Sequence, residues 1–319
     1  MRLLFAAFTL ALFPVALCAI HPASADDTFR LAIGQRGLWN TSVAELGQRG
    51  GIFKKHGLTL DITYTQGAAE TQQALISGSA DIGIPPGAPA VFGAFAKGAP
   101  LRIIGGETVG AGDVYWYVTA DSPIQTLNET DGRTIAYSTD GASTQTIILA
   151  IIKEHGLKAK PVATGGPAAT MVQVLSGLTD VGWAAPPFGL TLADHGKIRI
   201  IATGSDASAL KNQTVRVVIA NAAVLQSRQP AVERFMQAYR ETIEWMYTDA
   251  AVFRHYADFM KIGGETMRRA RDEFYPKGTL NPDVIFGIDA INAEAVQRGY
   301  MAAPLTPEQL AELIRIPPR

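Results

Sequence analysis

Leu75-Ile76-Ser77-Gly78-Ser79-Ala80-Asp81-Ile82-Gly83 returns, 99 positions later and without a gap, as Val174-Leu175-Ser176-Gly177-Leu178-Thr179-Asp180-Val181-Gly182. The same offset carries Phe53-Lys54-Lys55-His56-Gly57-Leu58 onto Ile152-Lys153-Glu154-His155-Gly156-Leu157, and Thr65-Gln66-Gly67 onto Thr164-Gly165-Gly166. Two positions out of that register, Leu101-Arg102-Ile103-Ile104 matches Ile198-Arg199-Ile200-Ile201. One register held over three separated blocks is the mark of a duplicated unit. A period near 100 is too long for a solenoid and suits two similar lobes.

Within each copy, short apolar runs alternate with helical patterns. The first copy predicts strands over 29–33, 60–64, 81–84 and 102–104, with helices over 41–56, 68–77 and 88–97. The second begins with a strand over 134–137 and a helix over 143–154 whose apolar run Ile147-Ile148-Leu149-Ala150-Ile151-Ile152 calls for burial. Such βα alternation implies parallel strands with crossover helices. Gly57, Gly78, Gly156 and Gly177 stand where helix C-caps are needed. Beyond the repeats, 214–220 reads as a strand, and Pro230 opens a long helix with one apolar face: Val232, Phe235, Met236, Tyr239, Ile243, Met246 and Tyr247. Thr306-Pro307-Glu308-Gln309 is a capping box. The expected fold is α/β: two similar βα lobes with a ligand cleft between them, plus C-terminal helices. The expected divisions are a leader over 1–25, the first part of lobe 1 over 26–110, lobe 2 over 111–208, and a return to lobe 1 with the C-terminal helices over 209–319.

Composition narrows the class further. The chain has 319 residues, 47% hydrophobic and 18% charged, which excludes disorder and fibres. Lys and Arg number 28 against 29 Asp and Glu, without the basic excess of a nucleic-acid binder. Arg2, an apolar run over 3–20 and Ala23-Ser24-Ala25 form a secretory signal cut near Ala25, so a periplasmic location is expected. Val15-Ala16-Leu17-Cys18 resembles a lipobox, though Leu17 is bulky where a small residue is wanted. Cys18 is the only cysteine. The mature chain would therefore hold neither a disulfide nor a thiol nucleophile.

Parallel sheets bind ligands beyond the carboxyl ends of their strands, at helix N-termini, and two facing lobes make a cleft of those rims. The strand-to-helix turns are therefore the candidate site. The sharpest runs from Ser138 to Thr144: small residues expose backbone N–H groups at a helix start, and Ser143 and Thr144 add hydroxyls, a set suited to an oxyanion. The same residues also serve as an ordinary helix cap. Arg36 would bring positive charge, unless it is a solvated loop arginine. Trp39, Tyr115, Trp116, Trp183 and Phe188 cluster near these turns, to stack on a ligand or to pack the core. Pro85-Pro86 and Pro186-Pro187 stiffen the turns. No P-loop, dinucleotide fingerprint, nucleophile elbow or metal-spaced cluster is present. No cofactor and no metal are expected. His56 and His155 read as helix ends, and Asp81 and Asp180 as a shared structural hydrogen bond.

Taken together, the leader, the paired βα lobes, the Ala74–Gly83 block and the helical tail resemble the periplasmic substrate-binding proteins of ABC importers, in the nitrate/sulfonate/taurine-type and thiamine-precursor-binding-like branch. The resemblance spans about 28–314. It implies a type II binding-protein fold that captures a small organic anion or zwitterion at the hinge. The turns that match place ligand contacts on Gln35, Trp39, Pro86, Ser138, Ser143, Thr144, Trp183 and Phe188, to which the reading of the residues themselves adds Arg36 and Trp116. It further implies hinges near 108–113 and 204–214, and as partners a membrane permease with its ATPase. The protein would act as a monomer without nucleic acid. Enzymes related to this family rely on cysteines, which the mature chain lacks. An exported enzyme or a sensor subunit on the same fold are the alternatives.

Overall fold

A computed structural model describes residues 27–319; the leader, its cleavage point and Cys18 lie outside the described residues. Ten strands are needed to place the site: β1 Asp27–Gly34, β2 Leu58–Thr65, β3 Ile82–Ile84, β4 Leu101–Val109, β5 Tyr115–Thr119, β6 Thr134–Tyr137, β7 Lys160–Ala163, β8 Gly182–Ala184, β9 Ile198–Thr203 and β10 Thr214–Asn221. Lobe 1 holds a five-stranded sheet in the order β2-β1-β3-β10-β4. In lobe 2, a β8-β5-β9 sheet and a β6-β7 pair are joined by the parallel bridge Ile135–Val181. Ala136 N–H donates to Val181 O at 2.8 Å across this seam. The lobe 2 order is thus β7-β6-β8-β5-β9, which is the lobe 1 order with each strand replaced by its counterpart.

The fourth place in each order departs from the all-parallel expectation. β10 runs antiparallel to β3 and β4, and β5 antiparallel to β8 and β9. Each is contributed from across the hinge: β10 follows lobe 2 in the chain yet completes lobe 1. Two connections therefore cross between lobes, from β4 to β5 and from β9 to β10. All eight residues of β10 are buried, because it is flanked by strands and covered on both faces. β5 places Tyr115 and Trp116 inside a strand rather than beside a strand-to-helix turn.

The repeat has a local cause in each lobe. Gly57, Gly78, Gly156 and Gly177 adopt φ of 67°, 75°, 64° and 73°, the left-handed state that ends a helix at least cost to glycine. Asp81 Oδ2 accepts from Arg30 N–H at 2.9 Å, and Asp180 Oδ2 from Thr134 N–H at 2.9 Å, so each carboxylate ties its strand to the start of the neighbouring one. The helix expected over 41–56 is broken at Gly50-Gly51 into Val43–Arg49 and Ile52–Lys55. The Trp245 ring packs close over Gly50 there.

The helix Gln229–Thr248 lays Val232, Phe235, Met236, Tyr239 and Ile243 onto the lobe 1 core. The helices Val252–Met260 and Gly264–Phe274 extend that cover. After the capped helix Pro307–Leu313, Arg315 N–H donates to Ile103 O at 2.7 Å and closes the exposed edge of β4. No helix among the described residues is long and apolar enough to cross a membrane.

Trp39 belongs to this core. It is fully buried, with Tyr256, Tyr247 and Phe253 rings at 5.2, 5.9 and 6.0 Å, and its Nε1–H donates to Tyr247 Oη at 3.0 Å. Trp39→Ala is expected to cost about 3–5 kcal/mol of stability in denaturant unfolding. Val172→Ser, at a position 67% exposed, should change it by no more than about 0.5 kcal/mol. A Trp39 variant as stable as the wild type would remove this residue from the core.

Candidate functional site

Where the carboxyl ends of the two sheets face each other, a small cavity forms. Gly34, Gln35, Leu38, Asn40, Thr41, Gly67, Ala68 and Pro85 line it from lobe 1. Val114, Ser138, Ala142, Ser143, Thr144 and Trp183 line it from the other side, and Arg216 of β10 reaches it from the hinge. About 20 Å³ is open to the centre of a water-sized sphere, room for one or two waters or a compact group of a few heavy atoms. The rims touch: a Cβ on Gly67 would lie 2.6 Å from Thr139 Oγ1, and one on Gly87 2.5 Å from Gly141 O. Glycine is what lets the lobes close this far.

Two helices open onto the cavity from opposite lobes. The helix Ser143–Glu154 starts after Ala142, which has no side chain to cap it, and its first backbone bond is Thr146 N–H to Ala142 O. The helix Ala68–Ile76 starts after Gly67, equally without a side-chain cap. The N–H groups of both first turns thus lack side-chain acceptors, and the two dipoles put partial positive charge on one small space. Ser138 N–H donates to Thr144 Oγ1 at 2.9 Å, and the two hydroxyls are also 2.9 Å apart.

Arg216 supplies the full positive charge. It is 4% exposed; Nε donates to Ser143 Oγ at 2.7 Å and Nη1 to Asp113 Oδ2 at 2.7 Å. One side chain therefore joins lobe 1, the first hinge connection and the helix start of lobe 2. Register shifts in the β4–β10 ladder on either side of Arg216 re-aim it toward the cleft. Burial works against its charge, but Asp113 and then Glu107 outweigh that and hold the guanidinium above its ordinary value. Glu107 of β4 is pushed up to about 7 by burial, against the pull of Arg216 and the hydrogen bond from Thr108.

The structure sorts the residues singled out in the sequence. Gln35, Ser138, Ser143, Thr144 and Trp183 meet at the cavity. Gln35 takes φ of 63°, an uncommon state for a residue with a side chain. The other five lie elsewhere. Arg36 points outward, over the Phe259 ring at 4.1 Å and bonded to Phe259 O at 2.8 Å. Trp39 is in the core. Trp116 is fully buried in β5 with Nε1–H on Ala136 O at 2.8 Å. Pro86 accepts from Val217 N–H at 3.2 Å and anchors β10, leaving Pro85 at the cavity. Phe188 packs on the edge of the lobe 2 core, and its carbonyl accepts from Tyr115 Oη–H. Arg216, Asn40, Asp113 and Glu107 were missed. The available signal was a charged residue inside a largely apolar strand: Arg216, the sole charge in TVRVVIAN, and Glu107 near the end of LRIIGGETV, which also holds Arg102.

A scan against protein families matches the family described as NMT1/THI5 like over residues 43–251. The chain belongs to the NMT1/THI5-like family. Among curated proteins none matches. The alkanesulfonate-binding protein SsuA from Xanthomonas axonopodis pv. citri, solved with MOPS, superposes with a TM-score of 0.76 at 19% identity, covering 92% of this chain and 100% of its own. The periplasmic aliphatic sulphonate binding protein SsuA from Escherichia coli gives 0.70 at 18% identity, over 92% and 93%. The periplasmic nitrate-binding protein NrtA from Synechocystis PCC 6803 gives 0.66 at 16% identity, over 90% and 86%. This NMT1/THI5-like chain has the periplasmic-binding-protein fold.

A pH profile tests the buried cluster. Glu107 binds its proton more tightly when folded than its ordinary value of 4.5 allows, so its contribution to stability is complete below pH 4.5 and is lost as pH rises through 7. The wild type minus Glu107→Gln stability difference should therefore fall by roughly 3 kcal/mol between pH 4.5 and 8. Parallel pH profiles for the two proteins would contradict this environment for Glu107.

Proposed function

We propose that this protein is an extracytoplasmic solute-binding protein that captures a small organic anion or zwitterion in the interlobe cavity by hinge closure. It then delivers the ligand to the membrane permease of an ABC importer with its ATPase. The observation that carries this reading is Arg216, bridging both lobes and the hinge at a cavity where two uncapped helix starts converge. Backbone N–H groups and a guanidinium suit a sulfonate, carboxylate or nitrate-like head. The names of the structural neighbours, sulfonate and nitrate binders, support the same class.

Closure follows from where the contacts sit. Ser143 and Thr144 belong to lobe 2, Gln35 and Ala68 to lobe 1, so a ligand touching both stabilises only the closed arrangement. The two connections between lobes provide the bending segments. The closed form then presents a face that the open form does not, which is what a permease needs to distinguish loaded from empty protein. The small cavity favours a compact ligand. With Trp183 the sole aromatic side chain lining it among the described residues, there is little surface for a broad ring. The chain offers no thiol outside its leader, and a binding role requires none. Both lobes and the hinge come from one chain, so a monomer completes the site.

A thermal-shift panel of small sulfonates, carboxylates, nitrate and neutral pyrimidines tests the ligand class. The oxyanions are expected to raise the melting temperature; stabilisation by uncharged compounds alone would overturn the oxyanion reading. Ser143→Asp puts a carboxylate at the helix start and should abolish ligand-induced stabilisation while the circular dichroism stays that of the folded protein. Unchanged binding in that variant would put the site elsewhere. Gly87→Val should hold the rims apart and weaken binding at least about tenfold, read by calorimetry; wild-type affinity would show that closure to this contact is not needed.

A further inference from the structure

The cavity has two chemically opposite walls. One is made of donors: the helix starts at Ser143 and Ala68, and the N–H groups of Arg216 not spent on Ser143 and Asp113. The other is made of acceptors. Asn40 is 1% exposed and lines the cavity, and its Oδ1 has no hydrogen-bond partner among the described residues. Behind it, Glu107 Oε1 and Asp113 Oδ1 are also buried and unpartnered. The Asn40 side chain lies beside the Glu107 carboxyl. With no partner among the described residues, Oδ1 is the acceptor that Asn40 can offer at the cavity. An orphaned buried acceptor is costly, and three within one charged cluster are rare in a native protein. A guest with acceptor atoms alone satisfies the donor wall and leaves this one bare.

Resting on the solute-binding reading, we infer that the ligand carries an ammonium or N–H donor beside its oxyanion head, and that Asn40, backed by Glu107, is the specificity-determining residue that receives it. The charges agree. Asp113 already pairs with Arg216, and the groups facing Glu107 are Arg216, Asp113, Asn40 and Thr108, with Tyr239, Tyr247 and Tyr275 on the covering helices and the segment after them. The Glu107 carboxylate is therefore the charge without a partner of its own. An ammonium against this wall favours the carboxylate, so binding near neutral pH releases the proton that Glu107 otherwise holds.

Isosteric pairs that exchange ammonium for methyl test this on the mature chain: glycine against propionate, and aminomethanesulfonate against ethanesulfonate. By calorimetry, the ammonium member is expected to bind at least about tenfold tighter in whichever head class binds. Asn40→Leu should bring the pair to parity, and Asn40→Asp should retain the preference. Titrations in buffers of different ionisation enthalpy should show proton release with the wild type and none with Glu107→Gln, which also decides the case if Asn40→Leu fails to fold. Equal affinity within each pair for the wild type would overturn the inference and leave the solute-binding reading standing. A preference that survives Asn40→Leu would overturn the assignment to Asn40. Silence from both head classes would overturn the solute-binding reading and the inference with it.

Discussion

Arg216 sits at 4% exposure with Ser143 on one nitrogen and Asp113 on another. A buried guanidinium is tolerated only when its hydrogen bonds and its counter-charge are supplied in good geometry. Here the partners come from three different parts of the chain: the strand that closes lobe 1, the first hinge connection, and the helix start of lobe 2. Removing one partner leaves an uncompensated charge in a dry place, at a cost of about 3–5 kcal/mol. That constraint fixes the lobes against each other in this form and aims positive charge at the cavity between them.

The swapped strands are what make such a residue possible. β10 belongs to lobe 1 by pairing but arrives from lobe 2, so its first residues lie beside both the cleft and the hinge. β5 does the same in the opposite sense. The segments that connect the lobes and the cavity between them are therefore neighbours in space, with Arg216 in contact with both. The duplicated βα unit supplies the rest: each lobe points a helix start at the shared space, and glycines at 67 and 87 remove the Cβ atoms that would hold the rims apart.

The electrostatics of the cavity are uneven. Two helix starts and a guanidinium make one wall a set of donors, while the other presents Asn40 Oδ1, with one unpartnered oxygen each of Glu107 and Asp113 buried behind it. Burial alone keeps a proton on Glu107 up to about pH 7. The cluster is thus poised between two charge states by its surroundings, a property of hinge residues packed in a low-dielectric space rather than of any one of them.

The sequence by itself determined the duplication, the α/β class, the helix ends and the cleft-facing turns. These rest on local causes: periodicity, glycines at the helix ends 57, 78, 156 and 177, a capping box at Thr306, and a run of small residues before the helix start at Ser143. Only the tertiary structure decided which side chains share the cavity. Trp39 and Trp183 both follow the same kind of signal and both are fully buried, yet Trp39 is claimed by Tyr247, Phe253 and Tyr256 from distant helices, while Trp183, in the lobe 2 core, also lines the cleft. Arg36 sits in a promising turn but is drawn outward by Phe259, while Arg216, inside an apolar strand, carries the charge. The antiparallel course of β5 and β10 was likewise hidden. Partners that lie 73 to 103 residues apart, as those of Arg216 do, are brought together only by strand exchange between lobes, and no local pattern encodes that.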